Sequence, residues 1–301
     1  MLSRKRMKKQ NIVIIGQGEI GKALYVILKS KHDVSIECWD VDVKACPVKK
    51  PLESIIPKAN IVFLCIPSWA IRLAAKDLFD HLKKTTLVVS VSKGIDRDGN
   101  RTVDELLHDV FPKSQPYALL SGPMLAEELV VGKLSAAVVA SKHKSAASLL
   151  MQLFKGTALR LSASTDLRGT AMCGVLKNIY AIGFAMATTL GAGDNYRGYY
   201  LLLVLEEMSG IVKALGGHPD TAYTYAGLGD FAATAFSQYS KNHEYGATLA
   251  KEGRVHFDSE GSVSIKPLQE LLGKKAKQFC LLNRIGDIVS RKRKPKSILD
   301  I

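Results

Sequence analysis

Paired cysteines are missing from this chain of 301 residues. Its five cysteines are scattered at positions 38, 46, 65, 173 and 280, and no two of them form a C-x-x-C pair. An odd number of widely spaced cysteines argues against a disulfide framework and against a cysteine-based zinc site. The sequence therefore predicts no metal site and indicates a reducing compartment, which we expect to be the cytoplasm.

Long apolar runs without charge are also missing. The basic N-terminus is followed by a short strand-like run rather than by the apolar core of a signal peptide. The longest apolar stretch, at about 169–193, carries Lys177 and Asn178 at its centre. Because a charged side chain in mid-bilayer is costly, we expect a buried helix here and no membrane span.

Positive charge is concentrated at the chain ends. The formal net charge is +14, and residues 3–9 and 291–296 contribute five positive charges each. Such runs could contact nucleic acid or anionic lipid, but no aromatic residues alternate with them. We expect residues 1–10 to form a disordered basic tail, residues 291–301 to form a solvated basic tail, and no specific nucleic-acid partner.

Two kinds of hydrophobic pattern divide the chain near Asp166. Before it, strands are predicted at 11–15, 34–39, 61–66, 86–90, 117–120 and 136–140, with helices at 21–31, 69–82, 102–110, 123–131 and 144–154. After it, helices alone are predicted, at 167–190, 195–215, 219–236, 243–252, 262–272 and 276–290. Strands alternating with helices are typical of a doubly wound sheet. The fold class is therefore α/β, with a Rossmann-like, mostly parallel sheet domain over 11–165 and an all-helical domain over 166–290.

A glycine-rich loop follows the first predicted strand and opens the first helix. It reads Gly-Gln-Gly-Glu-Ile-Gly at 16–21, the G-x-G-x-x-G pattern of dinucleotide-binding βαβ units. Gly16 permits a tight turn, Gly18 lets the backbone approach a pyrophosphate, and Gly21 lets helix and strand pack closely. The free N–H groups at the helix N-terminus would then bind the phosphates.

Asp40 lies 19 residues after Gly21, at the end of the second predicted strand. An acidic residue at this place hydrogen-bonds the ribose hydroxyls of NAD and repels the 2′-phosphate of NADP. No Arg follows in the immediate turn, so the sequence predicts NAD as the cofactor. The alternative is that Asp40 merely begins a turn.

Three ionisable residues are candidates for chemistry. Lys177 lies within an apolar helix, where burial lowers an ammonium pKa and makes the group a candidate general acid or base. Alternatively, its ammonium group reaches water from a partly exposed face. Lys93 follows the fourth strand at the carboxyl edge of the sheet, where ligands bind in open α/β folds. Asp230 could orient or ionise a lysine, or could be an exposed helix cap.

Seven short segments follow one another between about residues 11 and 285. They are the glycine loop, Ile-Pro-Ser at 66–68, Ser-Lys-Gly-Ile at 92–95, Ser-Gly-Pro-Met-Leu-Ala at 121–126, Gly-Val-Leu-Lys-Asn at 174–178, Gly-Asp-Asn at 193–195 and Ala-Gly-Leu-Gly-Asp at 226–230. In this order they resemble the NAD(P)-dependent glycerol-3-phosphate dehydrogenases. The resemblance implies a dimeric NAD-dependent enzyme that interconverts sn-glycerol 3-phosphate and dihydroxyacetone phosphate and feeds glycerolipid synthesis.

The resemblance also implies residue roles. Lys177 would transfer the proton at the C2 oxygen, Lys93 and Asn178 would hold and polarise that oxygen, and Asp230 would lie beside Lys177 with Thr234 nearby. Lys241 and Asn242 stand where the family has the Arg and Asn that bind the substrate phosphate. Together with the loop, the resemblance implies these cofactor-binding residues: Gly16, Gln17, Gly18, Glu19, Ile20, Gly21, Asp40, Pro67, Lys93, Ala126, Lys241 and Glu260.

The chain departs from the family pattern in several places, and two other interpretations stay open. Segment 41–60 is short, and Met124, Ala171 and the apolar residues 202–203 replace a Ser, a Glu and an Arg of the family. The protein could be a dehydrogenase of another 2- or 3-hydroxy acid, although the adjacent Lys177 and Asn178 favour the phosphorylated substrate. It could also be an inactive NAD(H)-binding sensor, which the retained polar residues disfavour.

Overall fold

A computed structural model describes residues 9–47, 49–96 and 99–301, which form two units. The first unit runs through Ser92 and also contains Glu105–Leu120 and Met124–Thr165. The second contains Lys93–Asp104, Ser121–Pro123 and Asp166–Ile301. The single boundary predicted near Asp166 therefore missed the two short early segments of the helical unit. Residues 1–8 of the predicted N-terminal tail lie outside the described residues.

The first unit is built on a seven-stranded sheet with strand order β2-β1-β3-β4-β5-β6-β7. The strands are β1 (Gln10–Ile15), β2 (Val34–Trp39), β3 (Ile61–Leu64), β4 (Leu87–Ser90), β5 (Tyr117–Ser121), β6 (Ser135–Ala140) and β7 (Leu159–Ser164). Parallel pairs join β1 to β2 and β3, β3 to β4, β4 to β5, and β6 to β7. The strand order reverses at β1, so the switch point at which such folds bind ligands lies between β1 and β3.

Helices fill the connections between these strands, as the alternating pattern predicted. They are α1 (Glu19–Lys29), α2 (Leu52–Ile55), α3 (Ile71–Phe79), α4 (Val103–Val110), α5 (Ala126–Val130) and α6 (Lys144–Leu153). The central strands are buried along their length because helices cover the sheet, which explains their uninterrupted apolar runs. The seventh strand, β7, was not predicted, because it carries an Arg and three serines or alanines and lies at the sheet edge.

The second unit is organised around one long buried helix. Its helices are α7 (Leu167–Thr189), α8 (Asp194–Ala214), α9 (Asp230–Phe236), α10 (Lys241–Glu252), α11 (Glu260–Leu272) and α12 (Cys280–Val289). The later helices pack around α7. Of the described residues, only those of α7 form a helix long and apolar enough to cross a membrane, and its most apolar window is entirely buried. It is therefore the core helix of this unit.

One predicted helix of the second unit is interrupted. Residues 219–236 form a 3-10 turn (Pro219–Tyr223), a π-helical turn (Tyr225–Gly229) and then α9. The chain turns so closely at Gly227 that a Cβ atom there would collide with the Ala222 backbone. Apolar periodicity alone could not reveal this break, because it depends on backbone packing.

The C-terminal segment differs from the solvated tail that was predicted. Residues Pro295–Leu299 form a 3-10 turn in which Ile298 is fully buried. The Tyr196 hydroxyl donates a 2.5 Å hydrogen bond to the carbonyl oxygen of Ile298. The basic run therefore leads into a packed segment, in which Ile298 is buried while Lys294 and Lys296 stay exposed.

Candidate functional site

The glycine loop of the first unit has the geometry that a dinucleotide pyrophosphate requires. Gly16 has a φ of +95°, and a Cβ atom on it would collide with the carbonyl oxygen of Cys65. A Cβ atom on Gly21 would collide with the carbonyl oxygen of Gly16, so the helix could not approach the strand. At Gly18, the N-cap of α1, nothing lies within 4 Å of a Cβ position. The free helix N-terminus therefore faces open space, which fits NAD phosphates.

Asp40 holds this loop in place. Its carboxylate accepts a 2.6 Å hydrogen bond from the Gln17 N–H and a 2.8 Å hydrogen bond from the Asp42 N–H. The alternative interpretation is thus partly correct, since Asp40 does begin a turn. It also lines the cavity described next, so the turn and a ribose contact are compatible.

A cavity of about 440 Å³ lies at the switch point of the sheet. Asp40 and Pro67, both predicted cofactor residues, line it together with Gly16 and Gly18. Its walls also include Trp39 and Trp69, the two tryptophans of the chain. Neither tryptophan was predicted as a site residue. Their places in the sequence could have indicated it, because Trp39 directly precedes Asp40 and Trp69 lies two residues after Pro67. An apolar cavity with aromatic walls and two acidic residues, Asp40 and Asp77, suits an adenosine moiety.

The other predicted cofactor residues lie in the glycine loop and at the start of α5. Gln17 is buried, and its side-chain amide donates a 3.3 Å hydrogen bond to the carbonyl oxygen of Gly16. Glu19 is exposed, Ile20 is half-buried, and Ala126 is the first residue of α5.

In the second unit, one carboxylate joins two lysines. Asp230 lies 2.5 Å from Lys93 Nζ through one oxygen and 3.4 Å from Lys177 Nζ through the other. Lys177 Nζ also donates a 2.9 Å hydrogen bond to Thr234 Oγ1. Four residues predicted from three separate parts of the sequence are thus joined by these contacts.

Burial gives this cluster unusual electrostatics. Lys177 is 9% exposed and Asp230 is 3% exposed, which rules out the solvent-reaching lysine and the exposed helix cap that sequence left open. Desolvation lowers the pKa of Lys177 to about 8, although the negative charge of Asp230 opposes this shift and the positive charge of Lys93 adds to it. Lys177 can therefore give or take a proton near neutral pH.

Local structure explains how these side chains meet. Asp230 and Thr234 are four residues apart on α9, so they share one face of that helix. The π-helical turn that precedes α9 carries the Ala-Gly-Leu-Gly segment, and such turns are frequent at functional sites. Lys93 Nζ additionally lies 3.5 Å from the carbonyl oxygen of Gly122, which comes from the other early segment of this unit.

Asn178 takes part in a second, adjacent network. Asn242 donates a 2.9 Å hydrogen bond to Asn178 Oδ1 and accepts a 2.8 Å hydrogen bond from the Gly261 N–H. Asn178 also donates to the carbonyl oxygen of Gly174, at 3.3 Å. Both predicted substrate-binding asparagines are buried, and they connect α7, α10 and α11. The structure brings them together, but it gives them a clear packing role as well.

Lys241 and Glu260 are exposed residues at helix starts. Lys241 opens α10, whose N-cap Ser240 accepts a hydrogen bond from the His243 N–H. Glu260 opens α11, which a capping box at Ser259 begins. Lys241 therefore presents its charge next to a helix N-terminus, a combination that favours an anionic ligand.

Asp166 is a half-buried network residue that the sequence did not reveal. Its carboxylate caps α7 by accepting from the Gly169 N–H and also accepts from His218 N–H and the Thr221 hydroxyl. It thereby ties the start of α7 to the turn before α9. An Asp just before a long apolar helix could have indicated the cap but not the long-range partners.

Protein-family models cover both parts of the chain. The NAD-dependent glycerol-3-phosphate dehydrogenase N-terminus matches residues 45–147, and the C-terminus of the same family matches residues 166–300. The N-terminal match begins after the glycine loop, and it includes part of the short segment 41–60 in which the chain departs from the family.

Comparisons with individual proteins identify the same family. The chain is 34% identical to the glycerol-3-phosphate dehydrogenase [NAD(P)+] of Agrobacterium fabrum over 270 residues, which cover 82% of each chain. It is 33% identical to that of Synechocystis sp., covering 80% of this chain and 74% of the relative. In fold it resembles glycerol-3-phosphate dehydrogenase of Coxiella burnetii, with a TM-score of 0.85 at 24% identity over 97% of this chain and 98% of that one.

The cavity beside the glycine loop and the cluster of Lys93, Asp230 and Lys177 fit the family that these similarities show. The chain belongs to the NAD-dependent glycerol-3-phosphate dehydrogenase family.

Proposed function

We propose that this protein is an NAD-dependent oxidoreductase that interconverts sn-glycerol 3-phosphate and dihydroxyacetone phosphate. The observation that carries the proposal is the Lys177 ammonium, buried and held between Asp230 and Thr234 in a member of this family. NAD, when bound, supplies or accepts the hydride at C2. The sn-glycerol 3-phosphate that reduction forms feeds glycerolipid synthesis.

Lys177 moves the proton in this proposal. During reduction, it donates a proton to the C2 oxygen as that oxygen gains negative charge, and during oxidation it removes the hydroxyl proton. A pKa of about 8 supports both directions, because each protonation state is populated close to neutral pH. The Thr234 hydroxyl and the Asp230 carboxylate keep the ammonium group oriented.

Lys93 provides charge rather than a proton. Two ammonium groups face one carboxylate, so the cluster keeps a net positive charge in a poorly solvated place. Such a charge stabilises the developing negative oxygen of the reaction more strongly than it stabilises a neutral carbonyl group. The adjacent Asn178 could add a hydrogen bond to the same oxygen, after exchanging its present partners.

The substrate phosphate binds at the start of α10 in this proposal. Lys241 and the N-terminus of α10 supply positive charge, and Asn242 lies next in the chain. A lysine keeps the charge of the family's Arg but not its two-pronged geometry, so binding relies on charge more than on shape.

An NADH-oxidation assay with dihydroxyacetone phosphate tests the proposed function. We expect consumption of NADH that depends on this substrate and is faster than with a panel of 2- and 3-keto acids. Consumption with keto acids alone would identify a different hydroxy-acid dehydrogenase. Binding of NADH without consumption across the panel would identify a sensor.

We further propose that the protein is a homodimer. Its helical unit exposes large apolar side chains, among them Leu202, Phe236 and Tyr239, which are 54%, 58% and 66% exposed. Burial of such residues in a subunit interface is favourable. Light scattering after gel filtration tests the proposal, and a monomer mass at micromolar concentration would contradict it.

We propose a cytoplasmic location. All five cysteines are free thiols in the structure, which supports a reducing compartment. Cell fractionation with an antibody to the protein tests this, and recovery in a membrane or secreted fraction would contradict it.

A further inference from the structure

Ser121 is a buried hydroxyl without a partner. It ends β5, its side chain belongs to a residue that is 6% exposed, and its Oγ atom has no hydrogen-bond partner among the described residues. Buried hydroxyls are almost always paired, because leaving one without a hydrogen bond destabilises the fold. A ligand that supplies the missing hydrogen bond would account for the serine.

The position of Ser121 points to the substrate. A Cβ atom built on Gly174 would lie 3.7 Å from Ser121 Oγ, 3.3 Å from Lys93 Cγ and 3.6 Å from Lys93 Cβ. The Ser121 hydroxyl and the Lys93 stem therefore both lie beside the bare Gly174 backbone. Gly174 precedes Lys177 by one helical turn, so it lies on the α7 face that carries Lys177.

Chain topology brings Ser121 and Lys93 to the same edge. Strands β4 and β5 pair in parallel, with Ser90 opposite Leu119, so both strands end at the same edge of the sheet. Lys93 follows one strand by three residues and Ser121 ends the other. The backbone carbonyl of Gly122, next to Ser121, lies 3.5 Å from the Lys93 ammonium.

We propose that the Ser121 hydroxyl hydrogen-bonds an oxygen of the three-carbon substrate, beside the oxygen that Lys93 holds. This proposal rests on the proposed function. Ser121 is a binding residue here, and it takes no part in proton transfer. Bound substrate would give the buried Ser121 hydroxyl its hydrogen-bond partner.

Ser121→Ala removes the hydroxyl with little change of volume. We expect the KM for dihydroxyacetone phosphate to rise roughly three- to tenfold, as loss of one uncharged hydrogen bond implies. The dissociation constant for NADH, measured by fluorescence titration, should stay within twofold of the wild-type value. Ser121→Cys, which keeps a weak donor, should fall between the two.

Thr188→Val is the matched control. Thr188 Oγ1 is also buried and unpaired, but it lies about 21 Å from Gly174 along α7. We expect this substitution to leave both the KM and the NADH affinity unchanged, which separates substrate contact from a general effect of removing a buried hydroxyl.

Thermal unfolding gives a second readout. The substrate-free Ser121→Ala variant should have a Tm equal to or above that of wild type, since it no longer buries an unpaired hydroxyl. Saturating dihydroxyacetone phosphate should raise its Tm by less than it raises that of wild type.

Three results would overturn the proposal. An unchanged KM together with a lower substrate-free Tm would mean that the hydroxyl holds a structural water. A rise confined to the NADH dissociation constant would assign the hydroxyl to the cofactor. If the wild-type enzyme does not turn over dihydroxyacetone phosphate at all, the proposed function itself fails, and this proposal fails with it.

Discussion

The Lys93 ammonium donates a 2.5 Å hydrogen bond to the Asp230 carboxylate, although the two residues are 137 positions apart in the chain. Lys177 contacts the other oxygen of the same carboxylate at 3.4 Å. One buried carboxylate thus holds two ammonium groups, and one positive charge remains in excess. This arrangement is suited to stabilising a substrate oxygen that becomes negative during the reaction. Substitution of each residue in turn measures its contribution.

Replacing Lys177 by Ala should lower kcat for dihydroxyacetone phosphate reduction by roughly 10²- to 10⁴-fold, the usual contribution of a general acid. NADH affinity should be unchanged, because the glycine loop and its cavity belong to the other unit. Steady-state kinetics and fluorescence titration measure the two effects. Lys251→Ala, at an exposed position of α10, is the control. Undiminished turnover of the Lys177→Ala variant would remove Lys177 from the mechanism.

The pH dependence should reverse with reaction direction. Reduction needs protonated Lys177, whose pKa is about 8, so kcat/KM should be highest below that pH and fall above it. Oxidation needs the neutral amine, so its kcat/KM should rise through the same range.

Asp230→Asn should move both pH profiles to lower pH, because the carboxylate raises the pKa of Lys177 and Lys93 lowers it. The profiles of Glu252→Gln, at an exposed position of α10, should stay in place. A shift of the Asp230→Asn profile to higher pH would contradict the electrostatic assignment.

Asp40→Asn should weaken the preference for NAD. The variant loses the charge that repels a 2′-phosphate, but its side-chain oxygen can still accept a hydrogen bond from the Gln17 or Asp42 N–H. We expect the ratio of kcat/KM for NADPH to that for NADH to rise about tenfold or more. The exposed Asp42→Asn variant controls for charge in the same turn. An unchanged ratio would mean that Asp40 serves only the turn.

NADH binding should quench tryptophan fluorescence strongly. Both tryptophans of the chain, Trp39 and Trp69, line the proposed cofactor cavity. Trp39→Phe and Trp69→Phe should each remove part of the quenching, because each variant keeps one of the two tryptophans that line the cavity. Calorimetric binding of NADH without any change in wild-type emission would place the cofactor elsewhere.

Lys241→Ala should raise the KM for dihydroxyacetone phosphate about tenfold or more, because a charge-assisted phosphate contact is lost. Lys241→Arg should retain or lower the KM, since an Arg fork can contact two phosphate oxygens. The Lys251→Ala variant again serves as the control. Equal KM values for the Ala and Arg variants at position 241 would exclude a phosphate contact.

Much of the fold could be predicted because the signals were local. Strands buried on both faces read as apolar runs, and the glycine loop between β1 and α1 has a fixed spacing. The edge strand β7 was missed because only its first residue, Leu159, is fully buried, so it has no apolar run. The break within 219–236 was missed because it arises from close backbone packing at Gly227.

The sequence by itself determined the α/β class, the glycine loop and the identity of the candidate residues Lys93, Lys177 and Asp230. Those depend on residue type, spacing and order, which survive without coordinates. Only the tertiary structure decided that Asp230 is buried between the two lysines and that burial lowers the pKa of Lys177 to about 8. Desolvation and ion pairing depend on distances in space. Residues 137 positions apart in the sequence have no fixed distance until the chain is folded.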